Sequence, residues 1–283
     1  MGEAGLGKGV LVPDEELMTG LVRFELLKLA RQPALLFWGF FFVPLAATMF
    51  KLFLILFIFI RSLQSPATGS DLILAAAKSL GISGNWLAQL LFAIGIAGVF
   101  HLEYRLATWR LVVPRASRVS IWLAKFLVCL FCIFISLSVL VLGDFSVDIV
   151  AAFTSPGSSS LQIHPDSVQI LIISSAIATM ELTVLIALVS AMAILTRSLI
   201  AAVLPAFMLA IVSSIMQVYL GATTSPIPLP AFGAEMLRTW LFDQSNDVTD
   251  AYAWSGLAIL TLWLLVGMAI GSISFARQQL YSE

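Results

Sequence analysis

Glu181 is the residue whose position most invites chemistry. It is the only acid deep within the apolar runs of this 283-residue chain. An ionisable group at membrane depth is costly, and by default it marks a path for protons, ions or substrate. A hydrogen bond between helices, or a carboxyl buried in its protonated form, are the alternatives, and the sequence sets no obvious intramembrane base beside it. Other candidates are thinner. Cys129 and Cys132 have C-x-x-C spacing but fall mid-way along an apolar helix, on one face, with no further Cys or His nearby. They read as packing residues. His101 ends one apolar stretch and His164 sits in a connection, and neither has partners at ligand spacing, so no metal site is expected. There is no H-E-x-x-H and no Ser nucleophile elbow, so neither a zinc protease nor a serine hydrolase is expected. Gly2-Glu-Ala-Gly-Leu-Gly-Lys8 imitates a phosphate-binding loop, but Gly9 stands where the Mg²⁺-binding hydroxyl belongs and no strand precedes it.

These residues must be positioned by membrane helices. Sixty per cent of the chain is hydrophobic and 11% is charged, against roughly 25% charged in soluble domains. The apolar residues lie in long blocks, which defines a polytopic, all-α membrane protein. Pro13-Asp-Glu-Glu16 opens a helix, with Pro in the first turn and acids at the positive end of the dipole. Leu17, Leu21, Phe24, Leu27 and Leu29 alternate there with Arg23, Glu25, Lys28 and Arg31. That pattern predicts an amphipathic helix on the inner membrane surface, within a cytoplasmic N-terminal region 1–33. No cleavable leader is expected, because the N-terminus is acidic and lacks a short apolar core with a small-residue cleavage site.

Six spans are expected within residues 34–275, followed by a short cytoplasmic tail, 276–283. The first runs from about Ala34 to Ile60, roughly 40 Å at 1.5 Å per residue, with Pro44 kinking it. Lys51 then lies past the midplane and is expected to reach the outer headgroups; a charge in the transport path is the alternative. The others run from about Ile82 to Phe100, Val119 to Leu142, Ser167 to Leu195, Leu199 to Leu220 and Tyr252 to Phe275. Residues 61–80, 143–168 and 221–251 are expected outside, the last with a short helix at 231–242 that lies at the interface or dips in. Under this layout eleven Lys and Arg residues lie inside, and only Arg61, Lys78 and Arg238 outside. The positive-inside rule then puts both termini in the cytoplasm.

His101 to Lys125 carries five of the fifteen basic residues. Leu102, Leu106, Trp109 and Val113 recur in it at helical spacing. A cytoplasmic helix with an apolar stripe is expected to dock on the headgroup layer or on another protein. Glu25-Leu-Leu-Lys28 with Arg31 precedes the first span, Pro44 lies within it, and Glu103, Thr108, Arg110, Pro114, Ser117-Arg118 and Lys125 surround the basic loop. This arrangement resembles the type-2 membrane subunits of bacterial ATP-binding-cassette exporters. That family commonly has an acid, Gly-Thr, a Pro-x-Ser-Arg turn and a Lys entering the third span. Here Ala107 replaces the Gly, and the turn Pro114-Arg-Ala-Ser-Arg118 is one residue longer.

The resemblance implies a permease of the bacterial inner membrane with no cofactor and no catalytic site of its own. ATP and Mg²⁺ would be held by a separate ATPase subunit, and a second permease copy or a paralogue would complete the path. No nucleic acid partner is implied. The segment from about Glu103 to Pro114 would be the coupling helix. Leu106, Trp109 and Val113 would anchor it in a groove of the ATPase, Glu103, Arg105 and Arg110 would orient it, and Thr108, Pro114 and Arg118 would complete the motif. Glu181 is the candidate for the translocation path. An intramembrane enzyme would need clustered polar groups, and a gradient-driven carrier would show repeat symmetry and several intramembrane charges. A non-transporting scaffold is the remaining alternative.

Overall fold

The computed structural model describes residues 14–62, 71–106, 117–154, 164–220, 227–243 and 250–277. Every regular element among them is helical. Helix α1 (Asp14–Ala30) leads through Gln32 into a composite first span: α2 (Pro33–Leu36), a π-helical turn (Phe37–Phe41) and α3 (Phe42–Ser62). Then come α4 (Leu72–Ser79), a 3₁₀ turn (Leu80–Gly84) and α5 (Trp86–Leu106), followed by α6 (Arg118–Thr154), α7 (Pro165–Thr196), α8 (Leu199–Leu220), α9 (Pro230–Phe242) and α10 (Asp250–Arg277). Five helical stretches are long and apolar enough to cross a membrane. A sixth crossing is made if α4 and α5, bent by 68° at the 3₁₀ turn, count as one broken span. The chain is therefore a multi-pass membrane protein.

Helix α7 is the hub, packing on α4, α5, α6, α8, α9 and α10. Its sequence explains this. In lipid, helices associate through close packing and interhelical hydrogen bonds more than through the hydrophobic effect, which favours small residues. Ala178, Ala187, Ser190, Ala191 and Ala193 are all buried along α7. On α10, a Cβ added to Gly267 would sit 2.9 Å from the Ala187 Cβ. Ser174 Oγ donates to the Ala77 carbonyl at 2.7 Å and ties α7 to α4. At the end of α7, Arg197 takes a left-handed conformation (φ 54°), and its N–H caps the Ala193 carbonyl. This closes the short connection into α8 between the two spans expected to end near Leu195 and start near Leu199.

The first span lies at the periphery, with α3 against α6 and the π turn against α5. Pro44 has no N–H for the Phe40 carbonyl, which it would otherwise satisfy in a regular helix. Ser136 Oγ on α6 supplies that hydrogen bond instead, at 2.6 Å. Where the π turn meets α5, Gly39 faces Gly95. A Cβ on Gly95 would come within 2.7 Å of the Gly39 Cα and carbonyl oxygen. Only glycine permits this backbone contact.

Two expectations need correction. The third span does not end near Leu142: α6 continues through Gly143, Asp144 and Asp148 to Thr154. Both acids lie on the α6 face turned to α3, where Lys51 meets Asp144 at 2.6 Å and Asp148 at 2.9 Å. Lys51 thus has two carboxylate partners on α6. Its partners also remove the reason for reading 143–154 as a polar loop. The second correction concerns α1. Phe24 and Leu27 are exposed, but Glu25 and Leu29 are buried, so Glu25 faces the bundle and not an aqueous polar face. Within 61–80 the chain forms the short helix α4, starting at the side-chain cap of Asp71 on the Ile73 N–H (3.0 Å).

Candidate functional site

Two buried ionic sites organise the bundle, and both join elements far apart in sequence. The larger is built on the break between α4 and α5. The run Ser83-Gly84-Asn85 ends the 3₁₀ turn, and Asn85 is extended (φ −72°, ψ 127°). Asn85 Oδ1 then caps α5 by accepting from the Leu87 N–H at 2.9 Å. Such a break at membrane depth is tolerated only where other groups satisfy the backbone it frees. Gln89 provides this: its Nε2 donates to the Ser83 carbonyl at 3.0 Å.

Glu181, about half-way along α7, points into this break and is 3% exposed. Its Oε1 accepts from Gln89 Nε2 at 3.2 Å, and its Oε2 accepts from Ser83 Oγ at 2.8 Å. The same oxygen is ion-paired with Arg238 Nη2. That guanidinium nitrogen also donates to Ser83 Oγ at 2.8 Å, while Nη1 lies 3.5 Å from Glu235. The carboxylate is therefore neutralised, and both of its oxygens are hydrogen-bonded. The absence of an intramembrane base, expected from sequence, is corrected: the base comes from α9. One face of α9 is packed into the bundle: Phe232, Ala234, Met236 and Leu237 are buried, with Ala234 and Leu237 in a cluster with residues of α7 and α10. Arg238 was legible only as a lone base on a short apolar helix, and Ser83 and Gln89 as polar interruptions of an apolar run.

Beside Glu181 is a narrow, mainly apolar cavity. It is walled by Val184, Leu188, Leu209 and Trp263, with Gln89 and Glu181 among its few polar groups. About 20 Å³ of it is open to the centre of a water molecule, which is room for about one water. Two hydrogen bonds hold the start of α9 over it. Gln217 Nε2 donates to the Ala231 carbonyl at 3.1 Å, and Trp263 Nε1 donates to the Pro228 carbonyl at 2.8 Å.

The second ionic site lies where α1, α5 and α6 meet. Lys125, entirely buried, pairs with Glu25 at 3.0 Å and also reaches the Val99 carbonyl at 3.4 Å. Lys28 stands 3.9 Å from the same Glu25 carboxylate. Cys129 and Cys132 lie one and two turns further along α6, buried and not bonded to each other, as packing residues do. Among the described residues, no cluster of three His, Cys, Asp or Glu side chains could hold a metal ion.

The basic segment is only partly in view. Glu103, Arg105 and Leu106 complete α5, but their side chains lie outside the described set. Thr108, Trp109, Arg110, Val113 and Pro114 lie outside the described residues altogether. Arg118 opens α6. Just before it, Ser117 Oγ accepts from the Ser120 N–H at 3.1 Å, a hydroxyl cap on the helix start. No family model, no curated protein and no solved structure matches the chain.

Proposed function

We propose that the chain is the membrane-spanning permease subunit of an ATP-binding-cassette exporter, driven by a separate ATPase that docks on the segment from Glu103 to Pro114. The observation that carries this reading is the buried Glu25–Lys125 pair. Both residues belong to the motifs that suggested the family, and they stand 100 residues apart in sequence. Their contact, with the Val99 carbonyl, ties together α1 and the two helices that enter and leave the basic segment. A push on that segment then moves α1, α5 and α6 as one body. This is what a lever needs if its motor is another polypeptide. In this reading the basic segment and both termini are cytoplasmic, α1 lies at the inner membrane surface, and the broken α4–α5 unit is the second of six spans.

The test is copurification of an ATPase from cells expressing the chain, followed by ATP-dependent cargo movement in vesicles. Trp109→Asp is expected to leave the helical fold intact while abolishing transport. Full transport by that variant, or by the purified chain with no ATP-hydrolysing companion, would overturn the reading. One observation favours a second reading, a gradient-driven carrier. Such carriers place their sites at discontinuous helices near mid-membrane, as the α4–α5 break places Glu181. Transport that survives ATP depletion but collapses with a proton ionophore would select it.

A further inference from the structure

Glu181 and Arg238 form the wall between two spaces. The carboxylate lines the narrow cavity described above. On the far side, Arg238 lines a shallow open crevice with Lys78, Glu235 and Thr239. The two groups that meet at this wall are held differently. Glu181 belongs to the hub helix α7, and its hydrogen-bond partners Ser83 and Gln89 sit on the α4–α5 unit. Arg238 belongs to the 13-residue helix α9. If α9 withdraws, Arg238 leaves with it, Pro230 and Ala231 leave the wall of the cavity and widen it beyond its room for about one water, and Glu181 stays. What remains is a carboxylate at the wall of an apolar cavity, with the indole of Trp263 among the lining groups. A carboxylate in such surroundings needs a positive partner, because an unpaired buried charge is strongly disfavoured.

We propose that this is a recognition site for amphipathic organic cations, kept shut by Arg238 acting as an internal surrogate for the cargo. The cargo's cationic centre replaces the guanidinium on Glu181. Its apolar body lies against Leu209, Leu188 and Trp263. An anion is repelled by Glu181, and a neutral guest cannot offset the loss of the ion pair. Competition between cargo and Arg238 couples loading to displacement of α9. The site's purpose rests on the permease reading, but binding to the isolated chain requires no ATPase, so the two ideas fail separately.

The test uses the full-length chain in lipid nanodiscs at pH 8.5, with ethidium as the cationic probe and 8-anilinonaphthalene-1-sulfonate as the anionic one. Removing the competitor with Arg238→Gln is expected to tighten ethidium binding by about tenfold or more. Glu181→Gln is expected to abolish specific ethidium binding and to leave the anion's weak, nonspecific uptake unchanged. The double variant Glu181→Gln/Arg238→Gln, which keeps neutral hydrogen-bonding groups at both positions, is expected to melt close to the parent and still fail to bind ethidium. That result separates loss of the site from loss of the fold. Ethidium binding that persists in the double variant, or is not tightened by Arg238→Gln, overturns the proposal. So does preferential binding of the anion at this site.

Discussion

Lys125 makes no contact with solvent, and its ammonium reaches Glu25 and one backbone carbonyl. Removing one partner of a buried pair costs about 3–5 kcal/mol when the other charge is left unpaired, whereas replacing both with apolar groups can be neutral. Lys28, 3.9 Å from the same Glu25 carboxylate, still offsets that charge, so Lys125→Ala is expected to lower stability by less than that in denaturant unfolding of the micelle-bound protein, and Glu25→Leu/Lys125→Met to recover most of the loss. The cluster on α3 and α6 behaves differently because its members are unequally shielded. The Asp144 side chain is 5% exposed and that of Asp148 is 17% exposed. The same unfolding assay is expected to show Asp144→Asn as the more damaging of the two neutralisations. At this scale the sequence was legible only in part. Glu181 stood out because lipid makes any acid conspicuous. Its partner Arg238, 57 residues away, did not, since helical periodicity carries no information about which distant helix a side chain will meet. Lys51 and Asp144 were each read alone, one as a headgroup anchor and the other as a loop acid, because neither explains itself without the other.

Among the elements, the long apolar runs announced themselves through length and composition, and the short gap between Leu195 and Leu199 and the helix at 231–242 were also visible. The interruptions were harder to read. Ser83-Gly84-Asn85 breaks a span inside the region read as a connection plus the start of span two, so the bend is invisible to a hydropathy window that averages across it. The end of α6 was misread for the opposite reason: acids that look like a loop are tolerated in a helix once Lys51 covers them. Contacts between elements also set how tolerant each glycine is. Gly95→Ala drives a methyl group into the backbone of the π turn, which has no flexible side chain to move aside. Its cost is expected to exceed the ~1–3 kcal/mol usual for overpacking. Gly81→Ala, with nothing within 4 Å of the added carbon, is expected to be close to neutral. Thermal melting of the two variants in one detergent checks the contrast.

Across the whole molecule, charge sidedness predicts a membrane orientation, and the protein is well suited to having it measured. Cys129 and Cys132 are both buried, so a membrane-impermeant maleimide should meet little native background. Arg110→Cys is expected to be labelled from the cytoplasmic side and protected in intact cells. Labelling from outside would reverse the expected topology and rule out the proposed docking of a cytoplasmic ATPase on the basic segment. The flanks of the bundle are strongly apolar, with Phe50, Phe53 and Phe57 exposed on α3 and Ile200, Met208 and Ile215 on α8, as lipid-facing helices require. The π-helical turn links these surfaces to the interior in a way that simple helix counting overlooks. A π turn accommodates one residue more than an α-helical turn, and one residue corresponds to about 100° of rotation. The first span is thus two helical segments in different angular phase. Phe37–Phe41 acts as an indexing joint: it lets Gly39 face α5 while Lys51, further along the same span, is clocked round to α6. Shortening that joint by one residue would leave an unbroken apolar span that still crosses the bilayer but turns its lysine away from both aspartates.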